Sequence, residues 1–84
     1  MKLIRLSRHA LEQCGERGAS PDEVVRAVEQ GSREPAKHGR ELRRFNFPYN
    51  GSWQGKTYAI KQVAPVIKEE ADEIVVIAVY TFFF

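Results

Sequence analysis

The side chains able to do chemistry in this 84-residue chain are few: His9, Arg17, Arg43, Arg44, Tyr58, Lys61 and Tyr80. Their types suit proton transfer at a phosphate. Histidine and tyrosine can take or give a proton, the arginine fork can hold phosphate oxygens, and lysine adds a further cation. Cleavage of RNA through its own 2′-hydroxyl needs nothing else. It requires a base for the 2′-hydroxyl, an acid for the leaving 5′-oxygen and cations for the charge on the phosphorane. No cofactor or metal is expected. The chain has no glycine-rich phosphate loop, no nucleophile elbow and no His-x-x-x-His pair, and His9 and His38 are its two histidines. A single cysteine, Cys14, rules out an internal disulfide and a multi-thiolate zinc site. It fits a reducing cytoplasm.

Charge is distributed unevenly behind a net value of +2. Residues 1–32 carry five basic and five acidic side chains, and residues 62–84 carry one against four. Residues 33–61 carry seven against two, and this basic middle is where a polyanion such as RNA would be attracted. A solvated surface with no partner would look the same. The longest apolar run, Ile74 to Tyr80, falls far short of the ~20 residues a bilayer requires, so no membrane partner is expected. Arg5 and Arg8 interrupt the N-terminal apolar residues, so no signal peptide is expected.

The elements that must position these residues follow from capping and periodicity. Ser7 can accept an orphan N–H of a first helix from about Arg8 to Arg17, which Gly18 ends. Ser20-Pro21-Asp22-Glu23 opens a second helix with a capping box and proline at its first position. Val24, Val25 and Val28 give that helix an apolar stripe, and Gly31 ends it. On the first helix, Ala10, Leu11 and Cys14 are expected to face a sheet, with His9, Gln13 and Glu16 on the other side. His9 then lies in the first turn. The positive end of the helix dipole disfavours an imidazolium there and suits the ring to act as a base, although a histidine that merely bonds a neighbour fits equally.

From Gly31 the pattern changes to strands. Arg33 to Lys37 is a weak edge, Glu41 to Phe47 alternates, and Tyr49 to Gly55 reads as a loop. Thr57 to Val63 and the apolar Ile74 to Tyr80 are the next strands, the last expected at the centre of the sheet. Adjacent residues on a strand point to opposite faces, so only one of Arg43 and Arg44 can line a given site. The expected fold class is α+β: one domain over residues 1–84, with two N-terminal helices packed on one face of a three- to five-stranded antiparallel sheet.

The run Ser7-Arg8-His9-Ala10-Leu11-Glu12-Gln13-Cys14-Gly15-Glu16-Arg17-Gly18-Ala19-Ser20 resembles the opening of a bacterial family known as domain of unknown function 4258. That family begins Ser-x-His-Ala and continues through Arg-Gly-Ile-Ser into a valine-rich helix. The arginine-rich strand at Arg40 to Phe45 and the apolar strand at Ile74 to Tyr80 are also similar to it. The resemblance implies a fold like the RelE-like and barnase-like ribonuclease toxins and a cognate antitoxin as partner. It implies site roles for His9, Arg17 and one of Arg43 and Arg44. Gln13 departs from the pattern, standing where the family usually carries arginine.

Three functions are therefore carried forward. The first is a metal-independent, mRNA-interferase-like ribonuclease toxin using His9, Arg17, Arg43 or Arg44, Tyr58, Lys61 and Tyr80. The second is a non-catalytic RNA- or ribosome-binding module. The third is a protein-interaction module or homodimer held through Phe82 to Phe84, an apolar tail that so small a chain can hardly bury.

Overall fold

A computed structural model describes residues 2–84. The chain runs β1 (Leu3–Leu6), α1 (Arg8–Arg17), α2 (Pro21–Gln30), β2 (Ser32–Pro35), a single 3-10 turn at Lys37–Gly39, β3 (Glu41–Trp53), β4 (Lys56–Glu69) and β5 (Glu73–Phe83). The five strands form one sheet in the order β1-β5-β4-β3-β2. The fold is α+β with the helices at the N-terminus, as expected. Two details of the sheet differ. β1 pairs parallel to β5, making the sheet mixed, and the central strand is β4, with β5 beside it.

Both helices begin and end where their capping residues place them. The Ser7 hydroxyl accepts from the Ala10 N–H at 3.1 Å. The Ser20 hydroxyl accepts from the Glu23 N–H while the Glu23 carboxylate accepts from the Ser20 N–H, a complete capping box. Ala10, Cys14, Val24, Ala27 and Val28 meet Val63, Ile67, Val76 and Val79 in one core between helices and sheet. Each fully buried valine or isoleucine contributes about 1.5–3 kcal/mol relative to exposure.

The placing of Leu11 and Gln13 is reversed from expectation: Leu11 is exposed and Gln13 is buried. The cause is the position of α1. β1 is only four residues long, so it covers β5 from Glu73 to Val76 and leaves the rest of that edge open. α1 lies along the open stretch and supplies the missing partners. The Val79 N–H donates to Gln13 Oε1 at 2.8 Å, and Arg17 Nη1 donates to the Val79 carbonyl at 2.8 Å. The Ser7 hydroxyl donates to the Ile77 carbonyl, and the Thr81 hydroxyl donates to the Arg17 carbonyl.

The segment from Tyr49 to Gly55, expected as a loop, is mostly strand. β3 and β4 continue past Pro48 to a two-residue turn at Gln54-Gly55, where φ is 50° and 83°. Two successive positive φ values match the twist that a tight hairpin needs. The register shifts by one residue between Pro48 and Gly51, with Asn50 at φ 46°. The tail is also strand. Phe84 and Ile60 exchange both backbone hydrogen bonds, so Phe82 to Phe84 extend the sheet.

The arm formed by this hairpin meets the helical part of the chain at the end of α1. Trp53 packs on Gly18, which has φ 71° and where a Cβ would come within 2.7 Å of the indole. Gly18→Ala is therefore expected to lower stability by about 1–3 kcal/mol in urea unfolding, from the left-handed backbone and the displaced ring. Gly15→Ala, in the helix interior with open space around it, should raise stability by about 0.4–1 kcal/mol.

Two ion pairs hold β1 at the sheet's edge, Lys2 with Glu69 at 2.7 Å and Arg5 with Glu73 at 3.1 Å. Hydrogen bonds from these cations hold both carboxyls below their ordinary range. A lowered carboxyl contributes stability above its unfolded value and loses it as pH falls through the folded one. Amide-exchange protection of β1 should thus be constant near neutrality and fall only as pH drops below about 4.5, the ordinary value. Arg5→Ala should flatten that dependence.

Candidate functional site

The sheet divides the candidate residues between its two faces. Arg43 and Lys61 lie on the helix-covered face and are buried. The Arg43 guanidinium donates to the Val28 carbonyl near the end of α2 and pairs with Glu41. It thereby satisfies one of the carbonyls that a helix end leaves without a partner. Lys61 donates to the Gly18 carbonyl at 2.9 Å, pairs with Glu23 at 2.8 Å and lies 5.3 Å from the centre of the Tyr49 ring. Because Glu23 also closes the capping box of α2, Lys61 ties that helix start to the central strand. Both cations are engaged in holding helices to the sheet.

Tyr58 belongs to an aromatic cluster around Phe83. Trp53 stacks on Phe83 at 5.1 Å, Tyr49 meets its edge at 5.3 Å and Tyr58 is tilted against it at 5.6 Å. His9 is exposed in the first turn of α1. Cys14 is buried, and burial pushes its thiol up from the ordinary value, which keeps it protonated and unreactive.

The remaining three candidates, Arg17, Arg44 and Tyr80, come together around the open face. Tyr80 and Phe82 project from β5 with about two-fifths of their surface exposed. They line a shallow groove of about 340 Å³ with Leu42, Arg44, Val66 and Ala36. Tyr80 stands opposite Ala64 on the neighbouring strand, a small and fully buried residue. Each ring has an arginine against it. The Arg17 guanidinium reaches from the edge of the sheet to lie 4.9 Å from the centre of Tyr80, and Arg44 lies 5.4 Å from the centre of Phe82.

Arg44 is held by its neighbours. Its Nε and Nη2 donate to Glu34 at 3.0 and 3.3 Å, and its Nη1 donates to Gln62 Oε1 at 2.9 Å. Gln62 in turn donates to Asn46 Oδ1 at 2.8 Å. Asn46, Gln62 and Phe82 form one cross-strand row. This row escaped sequence reasoning. In the sequence it shows only as the alternation that sets Arg44 and Asn46 on one face. Beyond Ala36, at the rim of the groove, the exposed Lys37 begins the 3-10 turn, while Arg40 lines a separate hollow with Arg33, Glu41 and Ile67. Among the described residues neither Lys37 nor Arg40 has an ion-pair partner.

The fold and site define a class: a helix-backed mixed sheet whose uncovered face carries exposed aromatic rings flanked by arginine. No family model, curated protein or solved structure matches the chain. Among the described residues no cluster of side chains is arranged to hold a metal ion, and no helix is long and apolar enough to cross a membrane.

The two faces should respond differently to mutation. Lys61→Ala leaves Glu23 without its cation and the Gly18 carbonyl without its donor, and is expected to cost about 2–4 kcal/mol in chemical denaturation. Arg44→Ala removes a partly exposed ion pair and should cost about 1 kcal/mol or less.

Proposed function

We propose that the protein binds single-stranded RNA on its open sheet face and acts there as a metal-independent ribonuclease of the toxin type. The observation that carries the reading is the pair of exposed rings, Tyr80 and Phe82, on one uncovered face with arginines at both. Exposed sheet aromatics are stacking platforms for unpaired bases, and every base has a π-face to offer. The width of the face suits a strand of RNA. Arg17 flanks it beside β5, and the exposed Lys37 follows Ala36 at its other rim. Two inter-strand steps, about 10 Å, separate β5 from β3. The resemblance of the helical opening to a family whose implied fold is like that of ribonuclease toxins points the same way. A cognate antitoxin would then have this face to cover, and a cytoplasmic location would give the protein access to RNA.

Cleavage is assigned to the Arg17–Tyr80 corner. The phenol there can give its proton to the leaving 5′-oxygen while solvent water takes the proton of the 2′-hydroxyl, and the guanidinium beside it can balance charge on the phosphorane. The engagement of Arg43 and Lys61 in helix contacts favours a second reading, in which the face binds RNA without cutting it.

Incubation of the purified protein with uridine-rich oligonucleotides separates these readings. Binding should weaken with rising salt. Tyr80→Ala and Phe82→Ala should each reduce affinity about 5- to 150-fold, the range for loss of one stacked base. Tyr80→Phe should retain binding and lose cleavage. Bound RNA that stays intact with the unaltered protein would leave the binding module alone, and no binding at low salt would overturn both readings.

A further inference from the structure

We infer that the row Glu34–Arg44–Gln62–Asn46 beside Phe82 selects guanine over adenine, an inference that rests on RNA binding at the same face. The direction of hydrogen bonding along the row carries it. Arginine can only donate, so Gln62 must turn its carbonyl oxygen toward Arg44 Nη1. That fixes the Gln62 amide nitrogen on the far side, where it donates to Asn46 Oδ1. The Asn46 amide nitrogen is thereby turned outward. A carboxylate thus begins the row and an N–H group ends it, with both amides oriented by one arginine.

The same bonds alter what Arg44 itself can do. Glu34 holds it in two-point contact and cancels its charge. Arg44 is then a poor phosphate clamp, because a phosphate would meet the Glu34 carboxylate as well. It is instead a fixed planar donor. Three of its N–H groups are committed to Glu34 and Gln62, and of its five the others remain to bond a base edge. Gln62 also keeps one amide hydrogen, and Asn46, which is exposed, keeps its amide nitrogen.

A base stacked on the exposed Phe82 ring lies in the cross-strand row of Gln62 and Asn46. Its edge then meets donors. Guanine presents two adjacent acceptors, O6 and N7, whereas adenine presents N7 beside a donor, N6. The two purines stack with nearly the same area, so the edge decides between them. With guanine both contacts are made. With adenine one donor faces another, and a desolvated N–H loses its partner.

The test uses the intact protein and two uridine oligonucleotides of equal length, one with a single central guanine and one with adenine. Guanine is expected to bind about tenfold tighter, within the range for a paired base contact. Replacing guanine by 7-deazaguanine, which lacks the N7 acceptor, should remove much of the difference. Asn46→Asp places an acceptor at the exposed end of the row and should bring the ratio to near one or reverse it, with the folded state checked by circular dichroism. Equal affinity for the two oligonucleotides, or a preference that survives both changes, would overturn the inference while leaving RNA binding standing. Failure to bind any oligonucleotide would overturn the binding reading itself.

Discussion

The upper edge of β5 sets the terms for the rest of the molecule. A strand edge inside a small domain needs partners for its N–H and C=O groups, because leaving them buried and unmet costs about 1–3 kcal/mol each. β1 meets that need for four residues and then ends at Leu6. From Ile77 onward α1 takes over, with Gln13 and Arg17 closing on the two polar groups of Val79. A helix therefore stands where a strand would otherwise be. Everything on the open face depends on this arrangement. Arg17 can reach Tyr80 only because its own helix lies alongside that edge.

The basic middle of the chain separates into two populations once it is folded. Arg43 and Lys61 are drawn inward as cross-links between sheet and helices, each against a carboxylate and a helix carbonyl. Buried pairs of this kind mainly resist disruption, since removing one partner leaves the other uncompensated. Arg44, Lys37 and Arg40 stay outside. Adjacent arginines thus perform opposite tasks because a strand turns successive side chains to opposite faces.

Much of the architecture was legible in local chemistry. Ser7, Gly18, Ser20, Pro21 and Gly31 bounded both helices correctly, because capping is decided within four residues. What lay beyond local reach came from pairing. The Tyr49 to Gly55 segment reads as a loop by composition, yet the β4 partner and one bulge carry it as strand. Gln13 reads as a surface residue by helical spacing, and only the unmet backbone of Val79 explains its burial. Of the candidate site, the alternation at Arg43 and Arg44 was visible but not which of them faced outward. The Asn46–Gln62 bond joins residues in separate strands, and nothing in either local sequence announces it.

The parallel pairing of β1 with β5 also orders events in time. β3, β4 and β5 follow one another as antiparallel neighbours joined by short turns, so their contacts form between nearby residues. Leu3, by contrast, pairs with Glu73, nearly a whole chain length away. Closing so large a loop is entropically costly before any contact rewards it. Gln13 and Val79 are nearly as far apart in the chain, so the same loop cost favours the meander forming before β1 and α1 together close on its edge. Between those two moments the outer edge of β5 is uncovered. The step most exposed to mispairing with another chain is the one that seats the beginning of the sequence.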